Sequence, residues 1–435
     1  MRLSRPVTVG IATVLTFGFA GWVVYRVSGV SEGRDLQVQL ARARRLGLPA
    51  DMTEMWPAAK DPGHNAAPIY TALSTGPHSL SRAANDAKAV GYPRSENDRK
   101  AIQAAIRAAS SELTALEAAV SFPECRFMRQ PAYDVPLPEY ATMWHGAELL
   151  VARALLESAK GDPLHAMRTL ATAAKMGPQL AQDPLIPAKI VQGRLEHDVL
   201  EGIERVLDTY GRRADVRHGA REALANLGAP PDIKDGWRGE WGWRRQVVRD
   251  YRAGKIPSDK LAQVVGYDEE SPERTRFLLQ MRIPGTRLRQ EEIAARLFLD
   301  FYEAIPDDPT HVAASRQARA RWGEQVTAQP GAGLAHMETA FVGLAETVGA
   351  QAIVRRRLLQ ALLNALDAPT PPKSLPLTGD GGIDPFNGKP LRYTAGPGSI
   401  RIWSVGPNGK DEGGNVSGDK DGKGDLVAVW GLRKP

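Results

Sequence analysis

The stretch that decides the fold is residues 152–177, ARALLESAKGDPLHAMRTLATAAKMG. Leucines and alanines recur at three- and four-residue steps on both sides of Gly161, Asp162 and Pro163, and that spacing marks one apolar face on each of two helices. Glycine and proline disfavour a helix interior, so this tripeptide ends one helix and begins the next. The stretch therefore predicts a hairpin of two helices, over 139–160 and 164–176.

This hairpin resembles a tetratricopeptide-like helix–turn–helix, a unit of about 34 residues. The sequence holds no second copy with comparable spacing, so we expect a helical bundle with one such hairpin and not a solenoid. Outward from the hairpin, the pattern predicts further helices at 35–45, 95–120, 184–210, 216–227, 290–303, 309–325 and 334–366.

The amino-terminal run from Pro6 to Tyr25 contains twenty consecutive residues without a charge. At about 1.5 Å per residue, a helix of that length covers roughly the 30 Å of a bilayer core. Arg2 and Arg5 precede the run, and this bias places the amino terminus in the cytoplasm. The pattern predicts a cytoplasmic tail over 1–5 and a transmembrane anchor over 6–27 that contacts the lipid bilayer.

A cleaved signal peptide is the alternative, because Gly18, Phe19 and Ala20 loosely fit a small-x-small cleavage site. We favour the anchor because the apolar run continues through Val24. The predicted location is the inner (cytoplasmic) membrane, single-pass, with the bulk of the chain extracytoplasmic. The predicted fold is mainly α: a transmembrane helix, an α-helical domain over 28–368, and a small antiparallel β module over 369–435.

Composition excludes several classes of protein. The chain of 435 residues is 43% hydrophobic and 24% charged, which is typical of a folded protein and not of a disordered one. Its net charge of +6 is spread among acidic residues instead of clustering, so we expect no nucleic-acid partner. Cys125, the single cysteine, cannot form an intrachain disulfide and is predicted to be a small buried side chain.

The composition changes at residue 369, where helix formers give way to Gly, Pro, Asp and Asn. Strands are predicted at 390–393, 399–405 and 426–430. The loop between the last two, GPNGKDEGGNVSGDKDGKGD over 406–425, has almost no apolar residues to order it. Oxygen ligands on a glycine-rich loop suit a hard cation, so we predict a Ca²⁺ site; the alternative is a solvated, turn-rich hairpin that holds no ion. The predicted ligands are Asn408, Asp411, Asp419, Asp421 and Asp425.

The segments IDPFNGKPLRY, RIWSVGPNGKDEGGN and GDLV resemble the calcium-binding carboxy-terminal region of the major pseudopilin of type II secretion. The matching positions are Asp384, Pro385, Phe386, Gly388, Pro390, Tyr393, Ser404, Gly406, Asn408, Gly409, Gly413, Gly414 and Asp425. Asn408 and Lys423 depart from that family, which has Asp at both places, and the pseudopilin processing signature is missing from the amino terminus. The helical middle, with NAAPIY at 65–70 and the hairpin, resembles bacterial envelope proteins that carry this same tail. The resemblance therefore implies such an envelope protein, and not a processed pilin subunit.

No common hydrolase, metalloprotease, redox or phosphate-binding motif is present in the sequence. The pairs His145–Glu148 and His197–Glu201 are interpreted as helix-stabilising pairs. In DGWRGEWGWRRQVVRDY, Trp237 and Trp241 are interpreted as core residues.

The predicted function is therefore a membrane-anchored interaction or scaffold protein of the envelope, linked to secretion or pilus-like assembly through protein partners. The lack of a recognisable catalytic motif favours a protein that is not an enzyme, and an enzyme stays an alternative. The first alternative is an extracytoplasmic hydrolase with a dispersed active site, which a concave pocket with several shifted titratable groups would favour. The second is a cell-wall glycan-binding protein, which requires Trp237, Trp241 or Trp243 exposed side by side.

Overall fold

The computed structural model describes residues 33–76, 79–375, 379–396, 398–415 and 424–431. The chain divides into two compact units. The smaller unit comprises residues 33–51, 241–305 and 318–342, and the larger unit comprises residues 52–240, 306–317 and 343–431.

The described part of the chain is mainly helical. In chain order the helices are α1 (33–45), α2 (Ala67–Thr75), α3 (Ser79–Val90), α4 (Glu96–Ala108), α5 (Ser110–Ala119), α6 (Pro138–Ala159), α7 (Pro163–Ala174), α8 (Met176–Leu180), α9 (Ile186–Tyr210), α10 (Ala214–Asn226), α11 (Ile233–Arg252), α12 (Ser258–Val264), α13 (Pro272–Arg282), α14 (Pro284–Ala304), α15 (Val312–Ala328) and α16 (Thr339–Asp367). Short 3-10 turns lie at Met52–Glu54, Pro62–His64, Gly333–Glu338 and Gly379–Gly382. The strands are β1 (Arg392–Gly396), β2 (Ser399–Ser404) and β3 (Leu426–Trp430).

The predicted hairpin is confirmed as α6 and α7, which pack against each other. Gly161 turns the chain with a φ of 89°, a conformation that costs glycine little. The Asp162 carboxylate then caps α7 by accepting from His165 N at 3.0 Å, and Pro163 occupies the first turn, where its missing N–H costs nothing.

The core of the larger unit forms where α9 packs against α6 and α7. Gly202 of α9 allows the helices to approach closely. A Cβ at this position would lie 2.7 Å from Leu170 Cδ2 and 3.2 Å from Val151 Cγ1. Leu149, Leu170 and Leu200 are fully buried in this core. The prediction for Cys125 is also confirmed: this free cysteine is buried in the same core.

The three strands form one antiparallel sheet in the order β1-β2-β3. Ile400 and Ile402 alternate along β2 and are fully buried, and they share one hydrophobic cluster with Leu358 and Leu362 of α16. The sheet thus packs on a helix instead of enclosing a core of its own.

The smaller unit is also helical, and α11 contributes a large aromatic side chain to its core. Trp241 is 1% exposed, its ring centroid lies 5.3 Å from that of Phe298, and its indole N–H donates to Pro49 O at 3.0 Å. Trp237 of the larger unit is 2% exposed. The prediction that these two tryptophans belong to the core is therefore confirmed.

The predicted membrane-spanning fold is corrected by the structure. None of the helices formed by the described residues is both long enough and apolar enough to cross a bilayer. The segment 6–27, to which the anchor was assigned, lies outside the described residues. This finding contradicts the predicted fold class with a transmembrane helix and the predicted inner-membrane localisation.

Candidate functional site

Asp384 organises the turn that precedes the sheet. Its carboxylate is fully buried and accepts hydrogen bonds from Phe386 N at 3.0 Å, Ser404 Oγ at 2.8 Å and Val405 N at 2.9 Å. Ser404 Oγ in turn accepts from Gly406 N at 3.1 Å. These bonds tie the turn after residue 383 to the end of β2, so Asp384 acts as a structural clamp.

Gly406 begins the acidic turn, and its backbone requires glycine. Its φ is 62°, and a Cβ at this position would collide with the carbonyl oxygen of Gly424. The two ends of the 406–425 loop therefore run side by side, which brings residues near its start close to Asp425.

The predicted ligands Asn408 and Asp411 are both engaged within this turn. Asn408 Nδ2 donates to Glu412 Oε1 at 2.7 Å, and Asp411 Oδ1 accepts from Trp403 Nε1 and Gly413 N, each at 3.0 Å. The Trp403 hydrogen bond, with the Gly413 N–H and the Arg392 guanidinium, lowers the pKa of Asp411. Asp411 is thus ionised but already well supplied with donors.

Asp425 differs from its neighbours because its bonding is incomplete. It is fully buried, its Oδ2 accepts from Gly414 N at 2.8 Å, and its Oδ1 has no hydrogen-bond partner within the described structure. Burial raises its pKa, and the nearby carboxylates of Glu412 and Asp411 raise it further. The structure thus brings Asn408, Asp411 and Asp425 into one turn and adds Glu412, which the sequence analysis did not select.

The described residues include three of the five predicted metal ligands, Asn408, Asp411 and Asp425. Asp419 and Asp421 lie outside the described residues. Within the described ranges, no three or more histidine, cysteine, aspartate or glutamate side chains are arranged to hold a metal ion.

A second cluster of titratable side chains lines a cleft of about 230 Å³ in the larger unit. Helices α3 and α9 both pack against α6 at this place. The polar lining consists of Lys88 and Tyr92 from α3 and its C-terminal end, Glu148 from α6, and Asp198, Glu201 and Arg205 from α9. The apolar lining consists mainly of Ala87, Val151, Ala152 and Leu155.

Two carboxyl groups of this cleft, Asp198 and Glu148, have pKa values shifted in opposite directions. Burial raises the pKa of Asp198 to about 6, and its carboxylate accepts a hydrogen bond from Trp144 Nε1 at 3.1 Å. Glu148 is buried as well, but hydrogen bonds from His145 and Lys88 outweigh its burial and lower its pKa. Of these two carboxylates, Glu148 has cationic partners, and Asp198 forms no ion pair within the described residues.

Neighbouring His197 titrates far below its ordinary range. Burial lowers its pKa to about 4, and the charge of Arg355 adds to that effect while Glu201 opposes it. The predicted pair His145–Glu148 is present, with His145 Nδ1 at 3.1 Å from Glu148 Oε2. Sequence reasoning missed the cleft, although Asp198, Glu201 and Arg205 recur at helical spacing on one face of α9.

Comparison with known proteins gives no match to any family model, curated protein or solved structure. The likeness of residues 383–427 to a pseudopilin tail therefore stays a prediction.

Proposed function

We propose that this protein is an interaction or scaffold protein whose carboxy-terminal turn is ordered by a bound Ca²⁺ ion. The observation that carries the proposal is the buried Oδ1 atom of Asp425, which lacks a donor and lies near the Glu412 carboxylate. A buried carboxylate oxygen without a donor is costly, and a hard cation satisfies it. Asp419 and Asp421 would complete the oxygen set from the same loop.

The ligands proposed here predict a weak site, with a Kd of about 10⁻⁴–10⁻³ M. At about 10 mM Ca²⁺, binding to the folded state alone would then add about 1.4 to 2.7 kcal/mol to the free energy of unfolding. Calorimetric titration and thermal melting of the full chain, with Mg²⁺ in parallel, test this expectation.

Asp425→Asn keeps the shape of the side chain and removes its charge, so it should abolish the Ca²⁺-dependent rise in melting temperature. Asp86→Asn is the matched control, because Asp86 is exposed on α3 in another part of the larger unit. Equal Ca²⁺ responses in wild type and Asp425→Asn would refute the site. Recovery of the same protein partners by crosslinking with wild type, but not with Asp425→Asn, would support the interaction role.

A hydrolase is the second candidate, and the cleft favours it. Two carboxyl groups whose environments push their pKa values apart are the usual arrangement for acid and base catalysis, and Asp198 and Glu148 form such a pair. Chromogenic ester, phosphate and glycoside substrates test this role. Turnover that disappears in Asp198→Asn and persists in Asp86→Asn would support it, and no turnover with any class would refute it for these reactions.

A further inference from the structure

The cleft between α3, α6 and α9 has the size of a small-molecule site. Its volume of about 230 Å³ accommodates a ligand of several non-hydrogen atoms. The apolar lining residues Val151, Ala152 and Leu155 lie within little more than one turn of α6, so they form a continuous strip. A ligand that fills this space would place an alkyl portion against that strip.

The charged groups of the lining are unevenly matched. Lys88 Nζ contacts Glu148 Oε1, and Arg205 Nη2 lies 2.9 Å from Glu201 Oε1. These two ion pairs use both cations of the lining, whereas the lining carries three carboxylates. The third is Asp198, and within the described structure it forms no ion pair.

The environment of Asp198 favours a cationic partner. Burial and the charges of Glu148 and Glu201 all disfavour its ionised form, and only the Trp144 hydrogen bond and the charge of Lys88 oppose them. A cation placed beside this carboxylate would remove that cost, since an opposite charge at close range favours the ionised form. An anion would instead have to displace Glu148 or Glu201 from its present partner.

Two aromatic rings at or beside the cleft carry the cations of the lining on their faces. The Tyr92 ring lines the cleft, and the Arg205 guanidinium carbon lies 5.9 Å from its centroid. The Trp144 indole, which donates to Asp198, has Lys88 Nζ 5.3 Å from its centroid. The faces of such rings attract ammonium and guanidinium groups.

We propose that this cleft binds a small organic cation, a primary amine or guanidine on a short alkyl chain. Asp198 is its counter-ion, and Val151, Ala152 and Leu155 contact the alkyl chain. This site takes an organic ligand and is independent of the Ca²⁺ site in the carboxy-terminal turn. It also does not depend on whether the cleft carries out a reaction.

Calorimetric titration of the full chain with cadaverine and agmatine tests the proposal, with pentane-1,5-diol and glutarate as neutral and anionic counterparts of similar length. We expect saturable binding of at least one of the two cations and no binding of the diol or of glutarate. Absence of binding by both cations up to about 10 mM would overturn the proposal, because a ligand that forms a desolvated charge pair should bind below that concentration.

Asp198→Asn should weaken binding of the cation about 10- to 100-fold, because it replaces a charged hydrogen bond by a neutral one. Asp86→Asn, the same chemical change at an exposed site of α3, should leave the affinity unchanged. Ala152→Leu is a second variant, which fills the cleft without touching its charges and should also abolish binding. Unchanged affinity in both Asp198→Asn and Ala152→Leu would place the cation elsewhere and overturn the proposal.

The variant Lys88→Met distinguishes a cation-binding cleft from an anion-binding one. Removing Lys88 should retain or strengthen binding of the amine, because one competing cation is lost. Glutarate binding in wild type that disappears in Lys88→Met would show that the cleft selects anions, and this result would also overturn the proposal.

Discussion

The ion pair between Arg356 and Glu196 gives the sharpest test of the packing of the larger unit. Glu196 is fully buried on α9, and Arg356 of α16 holds both of its oxygens, with Nη2 at 2.7 Å from Oε1 and Nε at 2.9 Å from Oε2. Gln192 Nε2 adds a hydrogen bond of 3.0 Å to Oε1. Arg356 also donates to the carbonyls of residues 227–229 at the end of α10.

Arg356→Met keeps most of the side-chain volume and removes the charge. The Glu196 carboxylate then stays buried with an amide as its main partner. Breaking a buried pair from one side costs about 3–5 kcal/mol. That is a large share of the 5–15 kcal/mol typical of a domain, so the variant should unfold at a much lower urea concentration.

Urea unfolding followed by circular dichroism at 222 nm measures the effect. Glu196→Gln removes the charge from the other side and should cost about 1–3 kcal/mol, since Arg356 keeps its carbonyl partners. The double variant should be more stable than Arg356→Met alone, because no unpaired charge is left buried. Arg213→Met is the matched control: the Arg213–Asp215 pair is exposed, and its loss should change stability by less than about 0.5 kcal/mol.

The pH dependence of the penalty gives an independent check. Burial raises the pKa of Glu196 even with Arg356 in place, and loss of Arg356 would raise it further. The folded variant should therefore take up a proton on acidification, and its deficit relative to wild type should shrink between pH 7.5 and pH 5. An Arg356→Met variant as stable as Arg213→Met, or a deficit that does not change with pH, would refute this account of the core.

The remaining predictions concern backbone fit and titration. Gly202→Ala should lower stability by about 1–3 kcal/mol, because its Cβ would lie 2.7 Å from Leu170 Cδ2, whereas Gly323→Ala, in open space on α15, should raise stability; equal melting shifts would contradict this. Gly406→Ala should reduce the near-ultraviolet signal of Trp403, because its φ of 62° and its contact with Gly424 exclude a side chain; an unchanged spectrum would contradict this. His197 has a folded pKa of about 4 against an ordinary value of 6.5, so it destabilises the fold as the pH falls through that interval, whereas Asp198, at about 6 against 3.8, stabilises the fold as the pH falls from about 6. Relative to wild type, Asp198→Asn should therefore lose more stability on acidification, and His197→Gln should lose less. Urea midpoints of the two variants that change equally between pH 7 and pH 4 would contradict this.

The hairpin was predictable from the sequence because the residues that end α6 and begin α7 act locally. Gly161 and Pro163 act within their own turn, so no distant contact is needed to place the break between α6 and α7. By contrast, α3 falls in the stretch 74–93, which looks turn-rich from its serines, glycines and prolines. Its buried face is Leu80, Ala83, Ala84 and Ala87, and small alanines at helical spacing give a weak hydrophobic signal.

The missed helix explains the missed cleft. Lys88 and Tyr92 come from α3 and the residues just after it, so without that helix one wall could not be placed. The charges of Glu148 and Asp198 were visible in the sequence, but their opposite pKa shifts depend on which cations reach them in space.

The acidic turn was easier to predict from the sequence, because Asn408, Asp411 and Asp425 are close in sequence. Its unexpected member is Glu412, whose role depends on Gly406 bringing the two ends of the loop together.

The buried carboxylates of the larger unit give a physical criterion for the two proposed sites. Glu139, Glu148 and Glu196 each pair with an arginine or a lysine, as folding requires when a charge leaves water. Asp198 and Asp425 form no such pair within the described structure, and burial raises the pKa of both. A carboxylate kept in this state lowers stability at neutral pH, because its ionised form is poorly compensated. That cost is removed by a ligand that supplies the missing positive charge, an organic cation at Asp198 and a metal ion at Asp425. If Asp198→Asn and Asp425→Asn both raise the melting temperature of the ligand-free protein, both carboxylates destabilise the fold without a ligand, as the two site proposals require. If both variants lower the melting temperature, the carboxylates are ordinary structural groups and both site proposals lose this support.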